Sequence, residues 1–577
     1  MGWVKSVFKT LAERQATIPG AMYELDRYED METPLPRIAN LNELASALTE
    51  RLVGKRKIVL FGDYDVDGIM SIIIMMKALR FLGRFAESVS GKPASVVSID
   101  VPDRETEGYG FSVSHAEKLH DCVVLLLDNG IVQYEAIQMA KDNNCEVYVV
   151  DHHQPGNILP GADIIVNPHA IAGGEFDNYC AAGLSYRLAR AMFCEKWVAS
   201  VVPSWAVAEA MHEFLFMAAL ATVADIVPML YENRVIVKEG MKSIPDHWKT
   251  ICYCLMDSEK PSLNEGDIAY KIAPAINAVG RLGELNAAFV EELATAEDTE
   301  PIGARLQVLN NERKNLTREV LRNLKITRPE DKVIVVQDNC IPGGIAGIVA
   351  GHLVEKYEKP VFVFGPVADG QITGSARSCN GIVHLKNILD KLDVVAPGML
   401  VRYGGHESAA GVTIPFERLS EFTDIINSLT EYAPVKEKVY DFDLVNPDDP
   451  EGKPYDLFDV YDGTRKFAPY GEGNPAPILR YVANVSTKDI RFMGTGKEHL
   501  KLTLGNYEAV AFNMANKVDS KNPSFELYGT LQLNEFRGSC RVQLNVVDFD
   551  QPEPEKKDEP AEPATDFAKE LMSSLCG

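Results

Sequence analysis

The segment Phe61-Gly62-Asp63-Tyr64-Asp65-Val66-Asp67-Gly68 carries three carboxylates at alternate positions, between an apolar run and a helix-like stretch. Side chains alternate in extended backbone, so Asp63, Asp65 and Asp67 are expected to share one face. Three carboxylates so close together repel one another and raise each other's pKa unless a cation neutralises them. Oxygen-rich sites of this kind suit Mg²⁺ or Mn²⁺. The alternative for this segment taken alone is a solvated acidic turn.

Apolar runs and helical segments alternate around this acidic segment. Helices are predicted near 40–52 and 133–142, and strands over Lys57–Phe61, Ser95–Val101, Cys122–Leu127, Glu146–Val150 and Ala162–Val166. Near-continuous apolar strands that alternate with helices indicate an α/β fold with a parallel sheet. Ligands bind such sheets beyond the carboxyl ends of the strands.

Three of these strands end on acidic or histidine residues: Asp63–Asp67, Asp128, and Asp151-His152-His153. Each group alone could be a turn or a helix cap, but together they favour a metal site. Asp225 is a further candidate because an ionisable group in so apolar a setting needs a partner or a metal, a buried helix cap being the alternative.

The two adjacent histidines are expected to differ in role. Neighbouring side chains at a strand end point in opposite directions, so one of His152 and His153 would be a metal ligand. The other would face the substrate or a supporting carboxylate.

The composition excludes some classes of protein. The chain has 577 residues, which predicts several domains, and its net charge of −25 argues against an overall nucleic-acid coat while leaving room for a local basic groove. Ten scattered cysteines without a CxxC pair fit reduced thiols in a cytoplasmic protein. No leader-like apolar segment opens the chain, and the stretch Phe214–Leu230 is short for a membrane span and contains Asp225. We therefore expect a soluble protein that does not associate with membranes.

Four motifs resemble, in order and approximate spacing, the signatures of the DHH phosphoesterase superfamily. They are Asp63-Tyr64-Asp65-Val66-Asp67-Gly68, Asp128-Asn129-Gly130, Asp151-His152-His153 and Ala224-Asp225. The resemblance implies two divalent ions, Mn²⁺ or Mg²⁺. Asp65 and Asp128 would hold one ion with Asp63 nearby, and Asp67, Asp128, His152 and Asp225 would hold the other. By the same resemblance His153 would face the scissile phosphate, and Asp151 would support the histidines.

Further motifs resemble those of the bacterial RecJ family of single-strand-specific DNA exonucleases. Pro102-Asp103-Arg104 with Gly108-Tyr109-Gly110, and Ala275–Leu282, look like its substrate-groove signatures, and Leu309–Lys314 looks like the start of its connecting helix. The resemblance makes Arg104, Tyr109 and Asn277 candidates for contact with nucleic acid.

A second α/β unit begins near Lys332–Val336 and contains glycine-rich turns at Gly344, Gly374 and Gly404-Gly405. Glycines let backbone amides approach phosphate, and Ser, Arg and His supply donors; tight turns in a packed domain are the alternative. The unit resembles the DHH-associated (DHHA1) domain. That resemblance implies that Arg281, Ser375 and Arg377 engage the terminal 5′ phosphate and its neighbours, and it adds His406 as a nucleic-acid contact.

Short β-type runs between Val439 and Phe549 predict a third unit. Phe467–Pro475 resembles the segment that leads into the RecJ oligonucleotide-binding (OB) barrel. Such barrels grip single strands by aromatic stacking and basic grooves. Four aromatic residues are candidates for stacking, with core packing the alternative: Tyr470, Phe492, Phe512 and Phe536.

The predicted fold is therefore α/β: a parallel-sheet DHH domain, a second α/β DHHA1-like domain joined by a long helix, and a C-terminal OB-fold β-barrel. The predicted ranges are a lead-in over 1–39, the DHH domain over 40–305, the connecting helix over 306–330, the DHHA1-like domain over 331–436, the OB-fold over 437–550 and an acidic tail over 551–577. The Pro/Glu/Lys-rich tail is expected to be disordered. Its last part, Phe567–Met572, is either a frayed end or a docking helix for a replication or repair protein.

Two positions depart from the family pattern. Phe61 stands where many relatives carry a histidine ligand, and Ile341-Pro342 stands where a Trp-His pair is common. With the rest of the motifs intact, the resemblance implies a two-metal-ion exonuclease that degrades single-stranded DNA from its 5′ end in DNA repair, recombination or replication. The alternatives are an oligoribonuclease or cyclic-dinucleotide phosphodiesterase of the same superfamily, and a non-catalytic replication scaffold.

Overall fold

The structure is a computed structural model, and the chain divides into two compact units. One unit comprises Arg14–Lys436 with Phe467–Pro475, and the other comprises Met1–Glu13, Glu437–Lys466 and Ala476–Gly577. The residues described are 2–25, 28, 30–31, 33–102, 110–256, 258–378, 383–432, 439–444, 456–494, 496–505, 507–536 and 539–552, without the side chains of 2–8, 535, 536 and 539.

A parallel five-stranded sheet forms the centre of the first domain. Its strands are β1 (Ile58–Gly62), β2 (Val97–Asp100), β3 (Val123–Leu127), β4 (Glu146–Val150) and β5 (Ile164–Val166), in the spatial order β2-β1-β3-β4-β5. Strands β1 and β3 are buried along their whole length, as their unbroken apolar runs predict. Gly62 pairs with Leu127, Leu127 with Val150, and Val150 with Val166. The residues that follow these strands therefore meet at one edge of the sheet.

Helices precede, separate and follow these strands along the chain. They are α1 (Gly2–Thr17), α2 (Leu41–Glu50), α3 (Val66–Ser90), α4 (Val113–Ala116), α5 (Tyr134–Asp142), α6 (Ala181–Phe193), α7 (Lys196–Val201), α8 (Ser204–Ala224), α9 (Tyr231–Gly240), α10 (Asp246–Met256), α11 (Glu265–Asp267), α12 (Ala273–Arg281), α13 (Ala287–Thr295) and α14 (Glu300–Asn323). The predicted lead-in over 1–39 is not irregular throughout, because it contains α1. Pro34 and Pro36 prevent a helix only in the residues next to them. Helix α1 ends before Ile18-Pro19, because the residue before a proline disfavours helical backbone angles.

Helix α8 is the most apolar of these helices. Among the described residues it alone is long and apolar enough to cross a membrane, and 61% of its most apolar window is buried inside the protein. A buried core helix passes the same test of length and composition, so this helix is weak evidence for a membrane span.

A long helix leads into a second α/β domain. The connecting helix predicted over 306–330 runs as α14 over Glu300–Asn323, with a proline in its first turn, where a proline is tolerated. The second domain contains α15 (Gly343–Tyr357), α16 (Leu385–Val395), α17 (Leu419–Leu429) and the strands β6 (Ile334–Gln337), β7 (Val361–Ala368), β8 (Gln371–Arg377), β9 (Arg402–Gly405) and β10 (Ala409–Pro415). The sheet order is β6-β7-β8-β10-β9, with β6 parallel to β7 and the other pairs antiparallel.

The C-terminal unit contains a mixed seven-stranded sheet and helix α18 (Leu457–Arg465). Its strands are β11 (Phe442–Asp443), β12 (Leu479–Asn484), β13 (Ile490–Met493), β14 (His499–Leu504), β15 (Tyr507–Ala511), β16 (Ser524–Phe536) and β17 (Ser539–Asp550), in the order β11-β12-β16-β17-β15-β14-β13. The predicted strand His499–Leu504 is confirmed, and its alternate residues Leu500, Leu502 and Leu504 are buried. The tail beyond residue 552, with its predicted docking helix, lies outside the described residues.

Candidate metal centre

Acidic side chains converge at the carboxyl edge of the parallel sheet. Asp63, Asp128 and Asp151 directly follow β1, β3 and β4, and each is buried, with at most 2% of its surface exposed. Asp128 adopts a left-handed backbone conformation with φ 62°, which turns the chain sharply at the end of β3.

The acidic segment folds as a strand, a turn and the start of a helix. Asp65 is the N-cap of α3, and its Oδ1 accepts hydrogen bonds from the backbone N–H groups of Asp67 (3.0 Å) and Gly68 (3.1 Å). Asp67 therefore lies in the first helical turn, and the expectation of one extended face is wrong because capping by Asp65 begins the helix there. A Cβ on Gly68 would lie 2.5 Å from the carbonyl oxygen of Asp63, so only glycine lets the helix pack this closely.

The N-terminus of α6 holds Asp67. The backbone N–H groups of Ala181 and Ala182 donate to the two carboxylate oxygens of Asp67, each at 2.7 Å. Burial and the charge of Asp65 raise the pKa of Asp67 to about 6, although these hydrogen bonds act in the opposite direction. The backbone therefore fixes the orientation of this carboxylate.

Asp151 organises the two histidines. Its Oδ1 accepts hydrogen bonds from the backbone N–H groups of His152 (2.8 Å) and His153 (3.1 Å), and it lies 2.8 Å from Nδ1 of His153. The two imidazole rings are 4.6 Å apart, and both approach Asp128. The expectation that they point in opposite directions is wrong, because β4 has ended at Val150 and the chain turns around Asp151.

The histidines differ in charge. Burial and the neighbouring His153 lower the pKa of His152 to about 3, so its imidazole is neutral. Burial would also lower the pKa of His153, but its hydrogen bond with Asp151 outweighs that effect and raises the value to about 9. Burial alone would raise the pKa of Asp151, yet the contact with His153 lowers it to about 2. A neutral histidine and a cationic one therefore stand side by side.

Three overlapping groups of ligand atoms share this site, and within each group the ligand atoms lie within 4.8 Å of one another. Asp63, Asp65 and Asp128 form the first group, Asp67, His152 and Asp225 form the second, and Asp128, His152 and His153 form the third. Asp128 belongs to the first and third groups and lies next to the second, since its Oδ1 is 3.3 Å from Nε2 of His152.

The residues present fit a divalent cation. Nε2 of His152 is buried and makes no hydrogen bond, while oxygens of Asp67, Asp128 and Asp225 surround it at 3.3–3.6 Å. Burial, together with the neighbouring carboxylates, raises the pKa of Asp128 and of Asp225 well above the usual range. A cation would relieve this repulsion and complete the coordination of the neutral imidazole. The ligand role of each residue remains a prediction.

Phe61 does not contribute a ligand atom. Its ring is fully buried, with its centroid 5.1 Å from that of Phe111 and 4.8 Å from that of His115. The group formed by Asp63, Asp65 and Asp128 therefore offers carboxylate oxygens only.

Two groups that hold site residues in place were not identified from the sequence: the backbone N–H groups at the start of α6, and the side chain of Asn167. Ala181 and Ala182 act through their backbone, so no side-chain pattern could have found them. Asn167, directly after β5, donates from Nδ2 to the carbonyl oxygen of His153 at 2.9 Å and is buried. Its position at the end of a predicted strand was a signal for such a role.

The nucleic-acid candidates of the first domain are Arg104, Tyr109, Asn277 and Arg281, of which the structure describes the last two. Asn277 accepts a hydrogen bond from the backbone N–H of Val66 at 3.0 Å, so it supports the acidic segment. Arg281 donates from Nη1 to the carbonyl oxygen of Gly344 in α15 at 3.0 Å. Arg104 and Tyr109 lie outside the described residues.

Two candidates of the second domain, Ser375 and Arg377, lie near α15. A Cβ on Gly347 would be 2.8 Å from Nη2 of Arg377 and 3.6 Å from Cβ of Ser375, so both side chains face this helix. Burial and the charges of Arg377 and His384 lower the pKa of His406. One part of the unit that comprises Arg14–Lys436 and Phe467–Pro475, called the catalytic unit below, thus brings together Arg281, Ser375, Arg377 and His406. Their contact with nucleic acid remains a prediction.

The aromatic candidates differ in exposure. Phe492 and Phe512 are 42% and 50% exposed, which stacking with a base requires. Tyr470 is half-buried, and the side chain of Phe536 lies outside the described residues.

Three family models match the chain in sequence order. They are the DHH family, N-terminal domain over residues 57–212, the DHHA1 domain over 330–431 and the RecJ OB domain over 455–548. The single-stranded-DNA-specific exonuclease RecJ of Haemophilus influenzae is 28% identical over 563 residues, which cover 92% of this chain and 93% of that protein. RecJ of Thermus thermophilus is 29% identical over 540 residues, which cover 91% of this chain and 74% of that protein.

Solved structures agree with these matches. The crystal structure of RecJ from Thermus thermophilus in complex with Mn²⁺ superposes with a TM-score of 0.71 at 28% identity, over 92% of this chain and 74% of that chain. The structure of the same protein with Mg²⁺ gives a TM-score of 0.66 at 26% identity, over 92% and 73%. The chain therefore matches the DHH family, the DHHA1 domain and the RecJ OB domain in turn, and over nearly its whole length it is similar to the RecJ exonucleases.

Proposed function

We propose that this protein is a metal-dependent exonuclease that hydrolyses the phosphodiester bonds of single-stranded DNA. The observation that carries the proposal is the set of three overlapping ligand groups around Asp128 and His152 at the carboxyl edge of the sheet. The likeness to RecJ exonucleases over nine-tenths of the chain supports the choice of substrate.

Two ions, Mn²⁺ or Mg²⁺, would occupy this site. Asp65 and Asp128 would hold one, with Asp63 nearby, and Asp67, Asp128, His152 and Asp225 would hold the other. When bound, such a pair activates water and stabilises the charge on the phosphate and the leaving oxygen.

The chain's own side chains would orient the scissile phosphate. The side chain of His153 is 45% exposed, and its elevated pKa makes it cationic, so it attracts a phosphate oxygen. Asp151, which is buried, holds Nδ1 of this imidazole and thereby fixes the direction in which the ring points.

The second domain would bind the end of the strand. Arg281, Ser375 and Arg377 lie around the first half of α15, and two guanidinium groups with a hydroxyl suit a terminal 5′ phosphate. Degradation would therefore run from 5′ to 3′, in repair, recombination or replication of DNA in the cytoplasm. A replication or repair protein would dock on the tail, residues 551–577.

The test uses purified full-length protein with Mn²⁺ or Mg²⁺ and single strands blocked at either end. We expect a 3′-blocked strand to be degraded and a 5′-blocked strand to persist, and we expect Asp128→Asn to abolish the degradation of the 3′-blocked strand. Degradation of only the 5′-blocked strand would show that the enzyme degrades from 3′ to 5′ instead.

Parallel reactions separate the alternatives. Faster hydrolysis of short oligoribonucleotides or cyclic dinucleotides would favour another activity of the superfamily. Binding of single-stranded DNA without hydrolysis under any of these conditions would indicate a scaffold.

A further inference from the structure

The segment after Asp225 makes two sharp turns. Asp225 ends α8, Ile226 has φ 57°, and Tyr231, the first residue of α9, has φ 45°. Left-handed conformations are unfavourable for residues with a Cβ and require support from surrounding structure. The position of the Asp225 carboxylate therefore depends on what holds residues 226–231.

The loop Phe467–Pro475 is part of the catalytic unit, whereas the residues before and after it belong to the other unit. Asn474 is fully buried and closes the loop, donating from Nδ2 to the carbonyl oxygens of Phe467 (3.3 Å) and Pro469 (3.0 Å). The backbones of Gly471 and Asn474 also bond to each other at 3.1 and 3.2 Å. The loop is thus a compact, internally bonded structure.

This loop packs directly on the residues that follow Asp225. The backbone N–H of Met229 donates to the carbonyl oxygen of Glu472 at 2.7 Å. A Cβ on Gly473 would lie 3.0 Å from Cδ1 of Leu230 and 3.6 Å from Cβ of Pro228, and a Cβ on Gly471 would lie 3.2 Å from Cε of Met229. Residues 228–230 are therefore held against the loop by one backbone hydrogen bond and by side-chain packing on its glycines.

Other parts of the catalytic unit fix the loop in place. Gln15 donates from Nε2 to Oδ1 of Asn474 at 2.5 Å, and Arg234 donates from Nη2 to the carbonyl oxygen of Ala468 at 3.1 Å. Glu265 accepts a hydrogen bond from the backbone N–H of Tyr470 at 3.1 Å. The loop is therefore a fixed surface against which residues 228–230 rest.

We propose that the loop 467–475 positions the metal centre, because by holding residues 228–230 it keeps Asp225 beside Asp67 and His152. Only residues 226 and 227 separate Asp225 from the held segment, so a shift there is transmitted to the carboxylate. This inference rests on the proposed function, and it makes Gly473 and Asn474 positioning residues for a cation that they do not touch.

The test compares glycine-to-alanine variants of the full-length protein by calorimetric titration with Mn²⁺ in the absence of DNA. Gly473→Ala adds a methyl group against Leu230 at a residue with φ 72°. Gly398→Ala is the matched control, because Gly398 has φ 73° and nothing lies within 4 Å of its Cβ position. Gly471→Ala is a milder variant, since Gly471 does not have a left-handed backbone and its methyl group would lie 3.2 Å from Cε and 3.3 Å from Cβ of Met229.

We expect Gly473→Ala to weaken the binding of one Mn²⁺ by about tenfold, the lower end of the effect of residues that support metal ligands. Gly471→Ala should weaken it less, and Gly398→Ala should bind as the wild type does. Excess Mn²⁺ should restore kcat in both weakened variants without a change in KM for DNA.

Wild-type Mn²⁺ affinity in both Gly473→Ala and Gly471→Ala would overturn the proposal. An equal loss in Gly398→Ala would also overturn it, because the loss would then follow backbone strain in general. If Gly473→Ala does not fold, the comparison of Gly471→Ala with Gly398→Ala decides in the same way. Failure of the wild type to bind Mn²⁺ would instead refute the proposed function.

Discussion

The exchange Asp128→Asn should stabilise the metal-free protein while removing its response to metal. Asp128 is buried beside Asp63 and Asp65, and the charges of Asp67 and Asp225 also act on it. Asparagine has the same shape and tolerates the left-handed backbone at this position. The exchange therefore removes one charge with little change in packing.

The size of this stabilisation follows from the distances between the carboxylates. Two charges 4.8 Å apart, the limit within the group of Asp63, Asp65 and Asp128, repel by about 3.5 kcal/mol at an effective dielectric constant of about 20. Proton uptake by the carboxyl limits the actual repulsion, so we expect a gain of about 2 kcal/mol in the free energy of unfolding without metal. Mn²⁺ at about 100 times the Kd of one site adds about 2.7 kcal/mol to the free energy of unfolding of the wild type.

The assay is urea unfolding followed by tryptophan fluorescence, to which Trp248, fully buried in the catalytic unit, contributes together with the other three tryptophans of the chain. In a chelator the variant should unfold at higher urea than the wild type, and in excess Mn²⁺ the order should reverse. A variant that is less stable than the wild type in the chelator would refute the electrostatic reasoning. A variant that keeps the full response to Mn²⁺ would refute the role of Asp128 as a ligand.

The advantage of this variant in the chelator should depend on pH. A carboxyl whose pKa is raised on folding destabilises the folded state above its unfolded pKa, and protonation relieves that effect as the pH falls through the folded value. The difference between Asp128→Asn and the wild type should therefore be largest at neutral pH and shrink toward pH 4. A difference that grows as the pH falls would contradict this sign.

Three further changes test other parts of the structure. Ile226→Asn should raise the free energy of unfolding by about 1 kcal/mol, because asparagine tolerates the left-handed conformation and Ile226 is 70% exposed; unchanged thermal unfolding would contradict this. Glu232→Gln should lower it by about 3 to 5 kcal/mol, since it leaves the buried Arg187 without its charged partner; a loss below 1 kcal/mol in urea unfolding would contradict this. Arg377→Ala should lower kcat/KM on 5′-phosphorylated single strands by roughly 10- to 100-fold, mainly through KM, and should matter less for strands without that phosphate.

The sheet and the place of the site were predictable from the sequence. Apolar runs that end on Asp63, Asp128 and Asp151 fix both the strands and the edge at which their ends meet. The strand Glu146–Val150 agrees with its prediction residue for residue. This part succeeds because burial on both faces leaves a strong apolar pattern.

The arrangement of individual side chains was less predictable. Alternation was expected to place Asp63, Asp65 and Asp67 on one face, but Asp65 caps α3 and puts Asp67 inside the helix. The same reasoning failed for His152 and His153, because both follow the end of β4. Period-two alternation holds only in extended backbone, and an active-site loop departs from it.

Long-range support of the site left no pattern in the sequence. Ala181 and Ala182 bind Asp67 through backbone N–H groups, which every residue except proline possesses. The contact between Met229 and Glu472 joins residues more than two hundred positions apart through the backbone alone. Such contacts follow from the folded chain and require a structure.

The parallel register of the sheet also determines where the protein can be modified. Because β1, β3 and β4 run in the same direction, the turns before them lie at the edge opposite to the carboxylates. Lys55 and Lys57 are exposed in the turn before β1, and Asn144 is exposed before β4. A fluorophore or a surface tether attached at these positions would stand a whole strand length away from the chemistry. Single molecules of the protein could then be immobilised and observed with the carboxyl edge of the sheet left open to solution.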